Sequence, residues 1–158
     1  MAANRIERVS TSPAAAAHAR AKLEFDVHRV RCVLKHQRHY LLVQHHSRRA
    51  RNVGKWALPG GRLKTCEKPK MGLRRELDEE LQLRVPHLLK LGDWRHRKEN
   101  HRIFGCEIEH PLDWFNSEEI AATGWFTYAE VKMLARTSRL HRGFEFAAIR
   151  EFKSRLSS

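Results

Sequence analysis

Long apolar runs are missing from this sequence of 158 residues. The longest, such as residues 40–43, fall far short of the roughly 20 apolar residues a helix needs to cross a bilayer, so no transmembrane segment is expected. Residues 1–21 hold Ser10, Thr11, Ser12, Pro13 and an alanine run at 14–17, but no apolar core between a basic start and a cleavage site. They do not read as a signal peptide; a flexible tail is expected, with a short alanine-rich helix as the alternative. Cysteine is scarce: Cys32, Cys66 and Cys106 are odd in number and widely spaced. That excludes a disulfide framework or a Cys-x-x-Cys metal pair and suits a reducing cytoplasm. Acidic residues are also short, with 18 Asp and Glu against 31 Lys and Arg and a formal charge of +13. Such an excess attracts polyanions, and nucleotides, RNA and DNA are all candidate partners.

A chain of this length suits one compact domain, here residues 22–158, with 41% apolar and 31% charged residues. Residues 25–34 and 40–44 read as two strands of a hairpin joined by the polar turn 35–39. Residues 47–55 form a basic loop, and Pro59, Gly60 and Gly61 break any regular element. From Pro69 a helix is predicted, because proline suits the first turn and Leu73, Leu77 and Leu81 recur along one face. Further strands are expected at 88–95 and 103–108, separated by the charged stretch 97–102, with one more at 125–127. Helices are expected at 129–135 and 143–156, and no internal repeat is present.

Chemistry concentrates on the first helix. At about 100° per residue, Glu79 falls about 60° to one side of Glu76 and Glu80 about 40° to the other, while Asp78 points away. Carboxylates crowded on one arc repel unless a cation lies between them. Oxygen ligands select a hard ion such as Mg²⁺, Mn²⁺ or Ca²⁺ over zinc. Taken alone, the three acids are equally well read as an exposed acidic face.

The wider spacing separates these readings. Gly61, five residues, Glu67, seven residues, Arg75-Glu76-Leu77, one residue, Glu79-Glu80, one residue, Gln82 and Leu83 together resemble the Nudix box, and the preceding Trp56-Ala-Leu-Pro-Gly-Gly61 is similar to the approach to it. The fixed positions, at roughly one in fifteen each, would coincide by chance about once in 10⁷ starts. The resemblance implies an α/β fold, an α/β/α sandwich around a mixed β-sheet. It implies Glu76, Glu79, Glu80 and the Gly60 carbonyl as metal ligands for Mg²⁺ or Mn²⁺, with Glu67 and Arg75 as a buried pair bracing the loop against the helix. The general base, Glu76 or Glu79, is left open. One departure stands at Gln82, where the family has Gly and a left-handed residue closes the turn. The implied reaction is attack of water on a phosphorus of a nucleoside diphosphate derivative. A nucleotide or nucleic-acid binding module without turnover is the alternative.

Other residues are weaker candidates. Arg48, Arg49 and Arg51 crowd one loop with Lys55, and Arg95, Arg97, Lys98 and Arg102 crowd another. The first group is a candidate for holding extra phosphates of a polyphosphorylated or RNA-end substrate; a solvated basic surface is the alternative. Trp56, beside the glycines, is a candidate for stacking a base. A later acid of the site is sought among Glu107, Glu109, Glu118 and Glu119. His45 and His46 are adjacent on a strand and should face opposite ways, so they should not share an ion. No membrane partner is expected, and the oligomeric state stays open, a homodimer included.

Overall fold

The computed structural model describes residues 7–8 and 26–158. The flexible tail expected at 1–21 lies outside the described residues apart from the two-residue strand β1 (Glu7–Arg8). Six strands follow: β2 (Val27–His36), β3 (His39–His45), β4 (Gly60–Arg62), β5 (Leu89–His96), β6 (Glu99–Glu107) and β7 (Ile120–Thr127). Three helices, α1 (Pro69–Leu81), α2 (Tyr128–Arg136) and α3 (Glu145–Leu156), pack against them. The sheet runs β1-β5-β6-β2-β3-β7, with β4 paired to β2. It is mixed, because β2 and β6 are parallel while the other pairings are antiparallel.

Alternation along β2 divides the core. Val30, Cys32 and Leu34 join Leu73, Leu77 and Leu81 of α1 on one face. Val33 joins Leu42, Ile103, Phe144, Ile149 and Phe152 on the other. Apolar layers on both faces make the α/β/α sandwich, and strands covered on both sides read as nearly continuous apolar runs.

The hairpin between β2 and β3 forms as expected, but its register covers only Lys35↔Tyr40 and His36↔His39. Beyond that, β3 diverges to pair with β7, and β4 takes its place beside β2, with Gly60 opposite Arg31. This splay lets the glycine segment enter the sheet under α1. A second difference concerns the charged stretch 97–102, expected to separate two strands. β6 begins at Glu99, and the turn shrinks to Arg97 and Lys98. The charges remain in the sheet because they are paired: Glu99 with Arg29 at 2.6 Å and Arg62 at 2.9 Å, and Arg102 with Asp93 at 2.9 Å.

Helix α1 matches its expected start at Pro69, and Leu73, Leu77 and Leu81 are buried. At its end Gln82 adopts φ 49° and ψ 37°, the left-handed conformation the family assigns to glycine. The Gln82 N–H donates to Asp78 O at 2.9 Å and the Leu83 N–H to Leu77 O at 3.2 Å, which closes the turn. Helix α2 starts at a reciprocal cap in which Thr127 accepts from the Glu130 N–H and the Glu130 carboxylate accepts from the Thr127 N–H.

A side chain in the left-handed region costs roughly 1–2 kcal/mol, part of which glycine would return as unfolded-chain entropy. Gln82→Gly is therefore expected to stabilise the fold by about 0.5–1 kcal/mol. In urea titration the midpoint should rise at constant slope. An unchanged or lower midpoint would mean that the glutamine side chain holds the turn.

Candidate active site

Two glycines bring backbone up to the acidic face of α1. Gly60 has φ 137°, and a Cβ there would overlap the Val30 carbonyl. At Gly61 a Cβ would lie 2.6 Å from the Glu76 carboxyl carbon, so only glycine lets that carboxylate rest on the loop. The loop is tied down by Arg75. Its Nε donates to Glu67 Oε2 at 2.8 Å and one Nη to Glu67 Oε1 at 2.9 Å, a bidentate pair, and the same Nη also donates to the Arg62 carbonyl at 3.2 Å. Glu67 Oε1 in turn accepts the Lys64 N–H at 3.1 Å. This pair is half-buried rather than sealed, and the Arg75 hydrogen bonds hold the Glu67 carboxyl down at about 2.

Glu76, Glu79 and Glu80 line up as the helical spacing requires, at three depths, with side chains 13%, 44% and 3% exposed. Asp78 is exposed, off the arc. The second guanidinium nitrogen of Arg75 sits 3.0 Å from Glu76 Oε1 and 3.3 Å from both Glu79 oxygens. Glu80 has no lysine or arginine partner among the described residues; its oxygens meet His45 Nε2 at 3.2 Å and the Gly60 N–H at 3.3 Å. Burial, then repulsion from Glu80, raises the Glu76 carboxyl above its usual range.

Among the described residues no three Asp, Glu, His or Cys side chains are drawn close enough to grip an ion as they stand. The donor set nevertheless fits a hard divalent cation. It is all oxygen, one member is buried with no lysine or arginine partner among the described residues, and another is held toward its neutral form by burial and then by an acidic neighbour that a cation would offset. The Gly60 carbonyl, expected as a further ligand, accepts Arg31 Nη1 at 3.1 Å. A carbonyl oxygen has two lone pairs, so one remains.

Of the later acids, Glu119 lies in a turn joined to the arc, since its N–H donates to the Asn116 carbonyl at 3.2 Å and the Asn116 N–H to the Glu80 carbonyl at 2.8 Å. Its carboxyl is raised by burial and then by Glu80 and Glu79. Glu107, at the end of β6, is drawn to Lys35 at 3.0 Å. His45 and His46 diverge as expected, His46 turning to the Ser117 carbonyl at 2.8 Å. That His45 reaches Glu80 was not legible in the sequence, since β3 and α1 meet only in the fold.

The first basic cluster and part of the second, far apart in sequence, line one open cleft of about 1120 Å³. Arg48, Arg49, Arg51 and Lys55 come from the first, Arg97 and Lys98 from the second, and Arg29, Glu99, His101 and Arg142 join them, while Arg102 is held by Asp93 away from this lining. Trp56 does not join them. Its ring packs edge-on against Phe126 at 4.8 Å and close to Gly124, because its backbone bridges to Leu140 and turns the side chain toward β7. Sequence reasoning missed Arg29, His101 and Arg142, which share no local pattern.

A NUDIX domain family model matches residues 27–147. The chain belongs to the Nudix family. The structure is similar to a mutant form of the Bacillus subtilis pyrophosphohydrolase BsRppH, with 17% identity, TM-score 0.66, and coverage of 96% of this chain and 91% of that one. It is similar to the NUDIX domain of Shewanella oneidensis NrtR complexed with ADP ribose, at 18% identity, TM-score 0.64, and 92% and 99% coverage. A mutT/nudix family protein from Listeria innocua matches at 20% identity, TM-score 0.65, and 84% and 94% coverage. No curated protein sequence matches it significantly. This Nudix protein carries Glu76, Glu79 and Glu80 on α1, and Gln82 takes the left-handed conformation that closes the helix. Among the described residues no helix is long and apolar enough to cross a membrane.

The Glu67–Arg75 pair sets an acid limit on stability. Because the folded-state Glu67 carboxyl is depressed, its contribution is complete above the usual 4.5 and is lost as pH falls toward about 2. Glu67→Gln should cost on the order of 1–2 kcal/mol at pH 7 and remove that part of the acid dependence. Denaturation midpoints at pH 7 and pH 3 check this: equal losses at both would sink it.

Proposed function

We propose that this Nudix protein hydrolyses the diphosphate linkage of a nucleoside diphosphate derivative in a reaction that depends on Mg²⁺ or Mn²⁺. The observation that carries this reading is the arc of Glu76, Glu79 and Glu80 set against the Gly60–Gly61 backbone. A bound divalent cation would neutralise charge on the phosphoryl oxygens and lower the pKa of its water. Glu76, Glu79 and Glu80, with the Gly60 carbonyl, are the residues that would hold it.

The chain's own contribution is position and proton affinity. Arg75 keeps Glu76 and Glu79 oriented, and Glu67 keeps Arg75 from turning away. Glu79 is the most exposed acid of the arc and Glu76 the one whose proton affinity is raised, so either can accept the proton of an attacking water. Glu119, in the turn tied to Glu80 through Asn116, is a further acid for that step. Glycine at 60 and 61 lets a diphosphate approach main-chain atoms closely. The three free thiols support a reducing, cytoplasmic setting.

The basic cleft favours substrates with charge beyond the scissile diphosphate, a polyphosphorylated nucleotide or an RNA end. The likeness to the pyrophosphohydrolase BsRppH supports cleavage of a diphosphate linkage, and the likeness to the NrtR domain complexed with ADP ribose supports a nucleotide-derived ligand.

Product release from a panel of nucleoside diphosphate derivatives with Mg²⁺ or Mn²⁺ tests the proposal. Glu76→Gln and Glu79→Gln should each lower kcat by about 100-fold or more. No turnover by any of the proteins, with nucleotide binding retained, would favour the binding module. Replacing Arg48, Arg49 and Arg51 together by Ser removes exposed contacts of roughly 0.5 kcal/mol each, so KM should rise about tenfold for polyphosphorylated substrates. An unchanged KM across substrates would exclude the loop from binding.

A further inference from the structure

Arg75 steers two of the three acids on α1, and the third is held by other means. Glu80 is 3% exposed and has no lysine or arginine partner among the described residues. Its carboxylate meets one donor on each oxygen: His45 Nε2 on Oε1 at 3.2 Å and the Gly60 N–H on Oε2 at 3.3 Å. An ionised carboxylate only accepts, so Nε2 is the ring nitrogen that carries the proton. The main chain of Glu80 is tied as well, because its carbonyl accepts the Asn116 N–H at 2.8 Å.

Strand β3 delivers His45 to this place. Leu41 and Val43 lie on the α1 face of the sheet and Leu42 on the opposite face, so alternation turns His45 toward α1. The ladder with β7 is irregular here. Gln44 lies opposite Ala122 and His45 opposite Ile120, which leaves Ala121 as the extra residue on β7. The bulge falls on the partner strand, and β3 keeps its alternation. Neighbours on both sides lock the strand end: Gln44 Nε2 donates to the Gly54 carbonyl at 3.0 Å, the His46 N–H to the Glu119 carbonyl at 3.1 Å, and the His46 ring meets the Ser117 carbonyl at 2.8 Å.

An imidazole in this position suits a carboxylate that has a cation to bind. A guanidinium fork would cover both oxygens and add a fixed positive charge, whereas one ring N–H takes a single lone pair of a single oxygen. With the Gly60 N–H on the other oxygen, each keeps a lone pair while the rotation of the carboxylate is set. Hydrogen-bond partners of this kind orient metal ligands and are felt in metal affinity. We propose that His45 is a positioning residue for a divalent cation: its Nε2–H holds the Glu80 carboxylate in the orientation in which Glu80 binds metal. This rests on the reading that Glu80 holds the cation, and variants of each residue separate the two.

Mn²⁺ binding to the full chain without nucleotide, read from the paramagnetic resonance of the free ion, tests the role apart from turnover. His45→Phe should raise the Kd for Mn²⁺ about tenfold or more, and His45→Gln, whose amide can donate in place of Nε2, should bring it back to within about threefold of the wild type. If His45→Phe does not fold by circular dichroism, His45→Ala carries the same comparison. Glu80→Gln should weaken Mn²⁺ binding at least as much as His45→Phe. A variant with a lower urea midpoint but an unchanged Kd would make His45 a structural residue only, and overturns the proposal. So does an equal loss in His45→Phe and His45→Gln, because the donated hydrogen bond would then not matter. Ni²⁺ separates positioning from ligation, since nitrogen ligands favour it: comparable losses for Ni²⁺ and Mn²⁺ support positioning, and a far larger loss for Ni²⁺ makes His45 a ligand and overturns it. Unchanged Mn²⁺ binding in Glu80→Gln removes Glu80 from the metal ligands and the role of His45 with it. The expected affinity pattern in a protein that hydrolyses no compound would remove the hydrolase reading and keep the role of His45.

Discussion

The guanidinium of Arg75 joins the loop to the helix, and the geometry of the acids follows from that joint. One side of its fork holds Glu67 and the Arg62 carbonyl; the remaining nitrogen reaches Glu76 and Glu79. A planar, permanently charged fork suits this task, because it fixes direction as well as distance, which an ammonium would not do. The glycines complete the arrangement from the opposite side, since a Cβ at Gly61 would push the Glu76 carboxylate away.

Charge is divided across a very short distance. Glu80 of α1 accepts the Gly60 N–H, and Arg31 of β2 donates to the carbonyl of the same residue. The splay of β3 from β2 makes room for that segment, and the parallel pairing of β2 with β6 brings Arg29 opposite His101. A net charge that looked diffuse in the sequence is thereby focused into one groove, where low-dielectric walls strengthen its field.

Local pattern and tertiary arrangement contributed differently. The helix at 69–81 was legible because proline at the start and leucines every four residues report directly on one element. The acid arc was legible for the same reason, since all three carboxylates sit within two turns and share one geometry. The left-handed turn at Gln82 was legible only through the family resemblance, as glutamine gives no such signal. By contrast, the start of β6 at Glu99 was hidden, because charges read as a loop until their partners Arg29, Arg62 and Asp93 are known.

By itself the sequence carried the spacing of the Nudix box and, through that resemblance, the family and the class of fold, since the box depends on residues close along the chain. Only the tertiary structure decided which cations meet, that Trp56 turns to Phe126, that His45 reaches Glu80, and that His101 and Arg142 line one cleft. The physical reason is range. Helical periodicity and turn chemistry act over a few residues, whereas a cleft forms where strands distant in sequence pair, and its charges acquire meaning only from neighbours that the pairing supplies.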